Sequence, residues 1–335
     1  MLSHLVKGMQ DAGAEVETVN LRQKKINHCL GCYTCWTKTP GLCVHKDDMS
    51  QELYPKWLEA DIVVYASPLY HFTLNANMKM FIERTLPVLK PYLERENEST
   101  SHPLRCRTPE VVLLSVAGFP DDSVFDALAY WAKVVFGRHG NLLAEIYRPA
   151  AEGMVHSGMK GTILAAVEQA GKEIIEQKHI STATMAAIKQ PIAPPEVVAS
   201  VSNVIWQTLI DRKLTMAEAG KHGGDAPRPD SIEALLAMLA FAFNPGKAGD
   251  KQGVLQFNFS GKKPGTCFLT IGKEGCSPHM GIAAKADCTI DSPFEVWADI
   301  IEGKQDGGKA FMDGNYKASG DITLMMMFGS DKEEH

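Results

Sequence analysis

The sequence lacks several features that mark whole classes of protein. No dense run of Lys and Arg occurs and the formal net charge is −6, so no basic surface for nucleic-acid phosphates is expected. The longest strongly apolar stretch, residues 234–243, has ten residues, about half of what a membrane-spanning helix needs. The first residues also lack the apolar core and small-residue cleavage site of a signal peptide. We therefore predict a soluble, cytoplasmic protein with no transmembrane segment and no nucleic-acid partner.

Charged residues are not abundant, at 22%, whereas hydrophobic residues make up 45% of the 335-residue chain. This balance favours buried cores over disorder, and a chain of this length corresponds to about two domains. Residues 219–229 contain no apolar residue larger than Ala or Pro, which is typical of a linker. The sequence predicts one domain over residues 1–218, a linker over 219–229 and a second domain over 230–335.

The two predicted domains differ in how their strands and helices are ordered. In the first, apolar strands alternate with amphipathic helices, which predicts an α/β fold with a parallel sheet buried on both faces. Its predicted strands cover residues 15–21, 61–66, 110–117 and 142–147. In the second, the strands are grouped, which predicts an α+β fold. Its predicted strands cover residues 253–260, 266–272 and 284–290.

Cysteine is scarce outside one short segment. Four of the eight cysteines, Cys29, Cys32, Cys35 and Cys43, fall within fifteen residues, unlike the even spread of a secreted disulfide framework. Their C-x2-C-x2-C-x7-C spacing can surround three corners of a 4Fe-4S cluster, with the fourth thiolate delivered by a turn. Zinc more often uses two separate C-x2-C pairs, but zinc and free or redox-active thiols both stay open. Asp47 and Asp48 are interpreted as helix-capping residues.

Two loops follow predicted strands at the edge where open α/β sheets bind ligands. The first offers backbone groups and an aromatic side chain that could lie along a flavin ring, and the second offers a glycine that permits close approach. Parallel strands also end in such turns for structural reasons alone, so the pattern leaves both readings open. The candidate cofactor-binding residues are Ser67, Pro68, Leu69, Tyr70, Gly118 and Phe119.

These motifs together resemble the iron-sulfur flavoproteins, a branch of the NAD(P)H-dependent FMN reductase group with a flavodoxin-like fold. The resemblance covers residues 1 to about 215. It implies FMN at the first loop, a 4Fe-4S cluster at the four cysteines, NAD(P)H as a donor, a small-molecule or protein redox partner and a homo-oligomer. It is carried by the cysteine spacing, Asp47-Asp48-Met49, Ser67-Pro68-Leu69-Tyr70, Lys79 and Arg84.

One feature of flavodoxin-like proteins is not found in this sequence. Such proteins open with a strand and a Gly/Ser-rich loop that holds the FMN phosphate at the start of the first helix. This sequence begins within that helix, predicted over residues 2–12. Either the given start lies downstream of the true one, or the protein lacks the phosphate site and the central strand. In both cases we expect the given residues to form a flavodoxin-like sheet whose first strand is missing and to bind FMN weakly.

A second resemblance covers residues 230 to about 328, which resemble the sterol carrier protein type 2 family of lipid-binding domains. It is carried by Phe243-Asn244-Pro245, residues 254–261, 297–300 and 309–314, and implies a five-stranded sheet and helices around an apolar tunnel. Flexible apolar side chains, notably methionines, suit varied ligands, although an ordinary Met-rich core has the same composition. The candidate lipid-pocket residues are Phe257, Phe259, Trp297, Ile300, Phe311, Met312, Leu324 and Met326.

The sequence as a whole predicts an FMN-dependent NAD(P)H oxidoreductase, or an electron-transfer iron-sulfur flavoprotein, with an appended lipid-binding domain. No residue has the pattern of a catalytic acid or base, because the flavin itself supplies the chemistry. The alternative is a carrier or sensor of a hydrophobic ligand such as a lipid or sterol. In that case the N-terminal module is a scaffold or a redox regulator.

Overall fold

A computed structural model describes residues 1–96, 99–219, 227–272 and 275–328. The chain forms two compact units. The first comprises residues 1–117, 122–149 and 163–189, and the second comprises residues 118–121, 150–162 and 190 onward. Most of the predicted linker, residues 220–226, lies outside the described residues. The predicted domain division therefore stays a prediction.

The helices and strands account for most of the described chain. The helices are α1 (Leu2–Asp11), α2 (Tyr54–Glu59), α3 (Ala76–Glu83), α4 (Asp126–Val135), α5 (Ala151–Met154), α6 (Lys160–Gln177), α7 (Thr182–Lys189), α8 (Pro195–Arg212), α9 (Met216–Ala219), α10 (Ile232–Ala242), α11 (Pro245–Ala248), α12 (Phe294–Ile301) and α13 (Gly307–Met312). The strands are β1 (Ile62–Pro68), β2 (Glu94–Glu96), β3 (Ser99–Ser101), β4 (Glu110–Val116), β5 (Leu142–Arg148), β6 (Gly253–Ser260), β7 (Gly265–Gly272), β8 (Gly275–Met280), β9 (Cys288–Pro293) and β10 (Lys317–Gly320).

The first unit is built on a parallel sheet with the strand order β1-β4-β5. The central strand β4 is apolar throughout because both of its faces are buried. Val112 and Leu114 pack into a core that includes α1 and α6, whereas Val111 and Leu113 pack into a core on the other face that includes α2 and α3. The predicted α/β class is thereby confirmed.

The strand predicted over residues 15–21 is not formed. Residues 14–20 have no strand pairing within the described part of the chain. Extended backbone becomes a strand only when a neighbouring strand accepts and donates its hydrogen bonds, and alternation in the sequence cannot supply that neighbour.

Helices α1 and α6 approach closely through a pair of glycines. A Cβ atom added at Gly8 would overlap the backbone carbonyl of Glu168, and one added at Gly171 would overlap the carbonyl of Leu5. Because neither glycine carries a side chain, the two helix backbones can pack against each other here. This contact covers one face of the sheet.

The second unit contains a five-stranded sheet with the order β10-β9-β6-β7-β8, in which β6 and β9 are parallel and the other pairs are antiparallel. The sheet and helices α8, α10 and α12 share one core. This confirms the predicted α+β region. The sequence missed β8 and β10, since one contains Pro278 and the other is only four residues long. No helix within the described ranges is long and apolar enough to cross a membrane.

Candidate functional site

The four clustered cysteines of the first unit meet at one small pocket. Cys29, Cys32, Cys35 and Cys43 all line it, together with His45 and other residues. Cys35 is buried, Cys29 and Cys43 are half-buried, and Cys32 is exposed. The structure therefore brings together all four predicted metal ligands, with one of them open to solvent.

The backbone between the cysteines turns tightly enough to bring them together. Gly31 and Tyr33 both have positive φ angles, 63° and 53°, which reverse the chain between successive cysteines. The amide of Trp36 donates to the Tyr33 carbonyl over 3.0 Å, and the amide of Gly41 donates to the Cys35 carbonyl over 3.0 Å. These hydrogen bonds help to fix the turns of the loop.

The cysteines also differ in their electrostatics. Burial raises the pKa of the Cys35 thiol, and the neighbouring Cys43, Cys29 and Cys32 raise it further, as expected when four thiolates share a small space. Hydrogen bonds from Thr34 lower the pKa of Cys32. A positive group bound among these sulfurs would relieve the repulsion that raises the Cys35 pKa.

A buried ion pair lies beside this pocket. The Arg84 side chain lines the pocket, and its guanidinium donates from Nη1 to Asp47 Oδ2 over 2.7 Å and from Nη2 to Asp47 Oδ1 over 3.1 Å. It also donates to the Asn27 carbonyl over 2.6 Å and to Ser50 Oγ over 2.8 Å. Burial works to lower the pKa of Arg84, but Asp47 and the Cys43 thiolate raise it above its ordinary value.

Asp47 has two roles in this arrangement. As the sequence predicts, it caps a helical segment, since its Oδ1 accepts a hydrogen bond from the Ser50 amide over 3.1 Å. It is also the counter-ion of Arg84, which no local pattern predicts because the two residues are 37 positions apart. The predicted capping role of Asp48 is wrong, because its side chain makes no capping hydrogen bond and instead accepts one from the Lys25 amide over 2.7 Å.

The residues at the cysteine pocket have the chemistry to hold an iron-sulfur cluster. Within the described residues no group of three or more His, Cys, Asp or Glu side chains could hold one metal ion. Two buried side-chain nitrogens at the pocket, Arg84 Nε and His45 Nε2, have no hydrogen-bond partner. Four thiols that line one pocket beside unpartnered nitrogens are residues of the type that would bind the irons and contact the acceptor sulfurs of a 4Fe-4S cluster.

The first predicted flavin loop follows β1 as expected. Tyr70 and Thr73 exchange two backbone hydrogen bonds, and His71 and Phe72 between them both have positive φ angles, 47° and 61°. Non-glycine residues rarely adopt this conformation, which costs about 1 kcal/mol or more each and often marks a functional loop. The turn leaves the Tyr70 and Phe72 side chains exposed.

The other candidates in this loop are less accessible. Ser67 is buried, and its Oγ accepts a hydrogen bond from the Asn75 amide over 3.0 Å. Pro68 ends β1, and the Leu69 amide donates to the Val116 carbonyl over 2.9 Å. Ser67 and Leu69 thus anchor the loop, and Tyr70 is its accessible predicted residue. The flavin role of all four stays a prediction.

The second predicted flavin loop belongs to the second compact unit. Gly118 lies close to the Glu152 carboxylate, at a distance of 3.5 Å from the position that a Cβ atom would occupy. Phe119 is exposed, and its carbonyl accepts a hydrogen bond from the Ala150 amide over 2.7 Å. A flavin role for these two residues also stays a prediction.

The second unit contains a large, mainly apolar cavity of about 1070 Å³. Of the predicted lipid-pocket residues, Trp297, Ile300, Phe311 and Met326 line this cavity. Phe257, Phe259 and Leu324 lie in the hydrophobic core instead, and Met312 is exposed at 80%. The structure thus brings half of the predicted set together around one space.

Helix α8 supplies a wall of the cavity that the sequence did not indicate. Val198, Val201, Ile205 and Leu209 recur at helical spacing and all line the cavity. This periodicity is a signal for a buried face, but it does not say what the face packs against. Trp297 lines the cavity too, and its buried indole Nε1 has no hydrogen-bond partner.

Comparison with known proteins gives two family matches. Residues 1–100 match the family model described as NADPH-dependent FMN reductase, and residues 243–330 match that of the SCP-2 sterol transfer family. Neither match covers half of the chain. The chain therefore combines an FMN-reductase-like region with an SCP-2-like region, and both resemblances found in the sequence are confirmed.

Curated relatives match the N-terminal region. An iron-sulfur flavoprotein of Archaeoglobus fulgidus is 47% identical over 87 residues, which cover 26% of this chain and 38% of that protein. An iron-sulfur flavoprotein of Methanocaldococcus jannaschii is 34% identical over 88 residues, which cover 26% of this chain and 43% of that protein. The chain thus spans less than half of the length of either relative.

Solved structures match both regions with low scores. The palmitated SCP2L2 of Aedes aegypti aligns with a TM-score of 0.25 and 21% identity, over 29% of this chain and 88% of that chain. An FMN-dependent NADH-azoreductase of Bacillus anthracis, solved in complex with FMN, aligns with a TM-score of 0.38 and 14% identity, over 52% of this chain and 89% of that chain.

Proposed function

We propose that this protein is an FMN-dependent oxidoreductase or electron-transfer protein that carries a 4Fe-4S cluster at Cys29, Cys32, Cys35 and Cys43. The observation that carries the proposal is the convergence of these four cysteines on one pocket. The match of residues 1–100 to the FMN reductase family supports it. NAD(P)H or a reduced protein is the proposed donor, and a small molecule or protein is the proposed acceptor.

Bound FMN supplies hydride and one-electron chemistry, and a bound cluster supplies one-electron transfer. The protein's own residues bind and orient these groups. Ser67 and Leu69 hold the first loop in place through hydrogen bonds, from the Asn75 amide to Ser67 Oγ and from the Leu69 amide to the Val116 carbonyl. The exposed Tyr70 ring is then free to stack on an isoalloxazine face. The cysteine loop provides four thiolates, one of them exposed at Cys32 to exchange electrons with a partner.

The iron content of single cysteine variants tests the proposed cluster ligands. After anaerobic reconstitution of the full chain with iron and sulfide, we expect about four irons per chain, and Cys32→Ser should abolish stable incorporation. Cys106→Ser is the matched control, since Cys106 is also exposed but does not line the pocket. Equal iron content in the two variants would contradict the assigned ligands.

A second candidate function, carriage or sensing of a hydrophobic ligand, is favoured by the cavity of about 1070 Å³. Its volume is at the upper end of ordinary ligand pockets, which occupy about 300–1,000 Å³. The match of residues 243–330 to the SCP-2 sterol transfer family supports a lipid or sterol as the ligand. Extraction of purified protein followed by mass spectrometry tests this function: a bound lipid without flavin or iron would favour the carrier over the oxidoreductase.

A further inference from the structure

We propose that Arg84 and His45 donate hydrogen bonds to sulfur atoms of the iron-sulfur cluster and thereby raise its reduction potential. This inference rests on the proposed function, because it requires the cluster. It assigns positioning roles to two residues that the cysteine spacing does not include.

The hydrogen bonds of Arg84 leave one donor unused. A guanidinium has five N–H groups, two on each Nη and one on Nε. The four on Nη1 and Nη2 match the four acceptor contacts to Asn27 O, Asp47 Oδ2, Asp47 Oδ1 and Ser50 Oγ. The remaining donor, Nε, is buried without a partner. A donor attached to a buried cation is costly to leave unpaired, so an acceptor is expected beside it.

The pocket beside this donor offers sulfur as an acceptor. Arg84 is buried and lines the pocket of the four cysteines. A neutral thiol is a weak acceptor, whereas a metal-bound thiolate or a sulfide carries negative charge and accepts strongly. The unused donor is therefore satisfied when a cluster is bound.

His45 provides an independent second unpartnered nitrogen at the same place. It is two residues after Cys43, it lines the same pocket, and its Nε2 is buried without a partner. Arg84 and His45 reach the pocket from different segments, the end of α3 and the chain that follows Cys43. Two segments that each bring an unpartnered nitrogen to the same four sulfurs point to a group with several acceptors.

The expected effect of these donors is on the electron affinity of the cluster. Reduction adds one electron and one negative charge to the cluster, with no bond made or broken. Hydrogen bonds to its sulfurs and a nearby cation stabilise this added charge, and such bonds are known determinants of cluster potential. Removal of either donor should therefore lower the midpoint potential.

The test is a redox titration of the reconstituted full chain, followed by the visible absorbance and the EPR signal of the cluster. The variants are His45→Leu and the double variant Asp47→Asn/Arg84→Gln, which removes both buried charges together so that neither is left uncompensated. Arg107→Gln is the matched control, since Arg107 also pairs with an aspartate, Asp61, but both are exposed. We expect lower midpoint potentials in both test variants and an unchanged potential in the control.

The outcomes separate this inference from the proposed function. If the wild type binds a cluster and both test variants keep its midpoint potential, the hydrogen-bonding role is overturned while the cluster stands. If the wild type takes up no iron, both are overturned. His45→Leu keeps the test decisive if the double variant does not fold, because His45 makes none of the contacts that hold the Arg84–Asp47 pair.

Discussion

Arg84 and Asp47 form a two-pronged ion pair that is almost fully buried, with 1% and 0% of the side chains exposed. Asp47 also accepts a hydrogen bond from the Asn27 amide, and Arg84 donates to the Asn27 carbonyl. Because Asn27 precedes Cys29 and Asp47 follows Cys43, the pair fastens both ends of the cysteine segment to each other and to α3. The cysteine loop is thus held by a charge pair outside the motif itself.

Loss of one partner of this pair should strongly destabilise the first unit. Arg84→Leu leaves the Asp47 carboxylate buried without its counter-ion, which costs about 3–5 kcal/mol of unfolding free energy. The double variant Asp47→Asn/Arg84→Leu should recover part of this loss. Urea unfolding of the metal-free protein measures both, and a loss below about 1 kcal/mol for Arg84→Leu would contradict the account.

The same pair predicts how stability depends on pH. Burial alone would raise the pKa of Asp47, but hydrogen bonds from Arg84, Asn27 and Ser50 hold it well below its ordinary value of 3.8. A depressed carboxyl pKa contributes stability that is fully present above the ordinary pKa and is lost as pH falls towards the folded-state value. The stability difference between wild type and Asp47→Asn should therefore be constant from pH 7 to about 5 and shrink below about pH 4. A difference that disappears between pH 7 and 5 would show that Asp47 is not paired as described.

The glycine contact between α1 and α6 can be tested within one helix. Gly171→Ala places a methyl group against the α1 backbone, and overpacking of this kind costs about 1–3 kcal/mol. Gly161→Ala, also in α6, has no atom within 4 Å of the added Cβ and should be neutral or stabilise the helix by up to about 1 kcal/mol. Thermal unfolding compares the two, and equal effects would mean that the helices do not approach as described.

The eight cysteines should differ sharply in reactivity in the metal-free protein. Burial raises the pKa of Cys267 and of Cys276 to about 12, so almost no thiolate exists at neutral pH. Cys106 and Cys32 are exposed, and the pKa of Cys32 is lowered. Brief alkylation with iodoacetamide and peptide mass spectrometry should find label on Cys32 and Cys106 and none on Cys267 and Cys276. Early labelling of Cys276 would contradict its place in the core.

Two neighbouring residues of α13 differ in whether they line the cavity. Phe311 is 40% exposed and lines the cavity, whereas Met312 is 80% exposed and does not line it. A carboxylate in an apolar wall is costly, so Phe311→Asp should weaken binding of a fluorescent fatty acid or sterol by about tenfold or more. Met312→Asp should leave binding unchanged. Equal effects of the two substitutions would show that the ligand binds elsewhere.

Local patterns in the sequence predicted the elements that local interactions determine. The apolar run around Val111–Leu114 predicted a strand buried on both faces, and the alternation over residues 253–260 predicted β6 with the bounds that the structure has. Cysteine spacing likewise predicted which four side chains meet. Pairing partners are not local, however, and so the strand predicted over residues 15–21 did not form.

The missed site residues depend on contacts between distant positions. Arg84 lies at the end of α3, where an arginine usually faces solvent. It is buried here because residues far along the chain, among them Asp47 and Asn27, contact its guanidinium. Helix α8 has an apolar face that was recognisable, but its partner α10 lies beyond the predicted linker. In both cases the sequence shows the type of residue but not which distant residues surround it in the fold.

The central claim is the proposal that one chain carries both an iron-sulfur cluster and FMN. The most direct measurement is the absorption spectrum of the full chain, with its iron, zinc and flavin content, after anaerobic reconstitution with iron, sulfide and a saturating concentration of FMN, because weak FMN binding is expected. The account predicts flavin bands on a broad iron-sulfur shoulder, with about four irons per chain and no zinc. A colourless protein that holds about one zinc per chain and no flavin would contradict it.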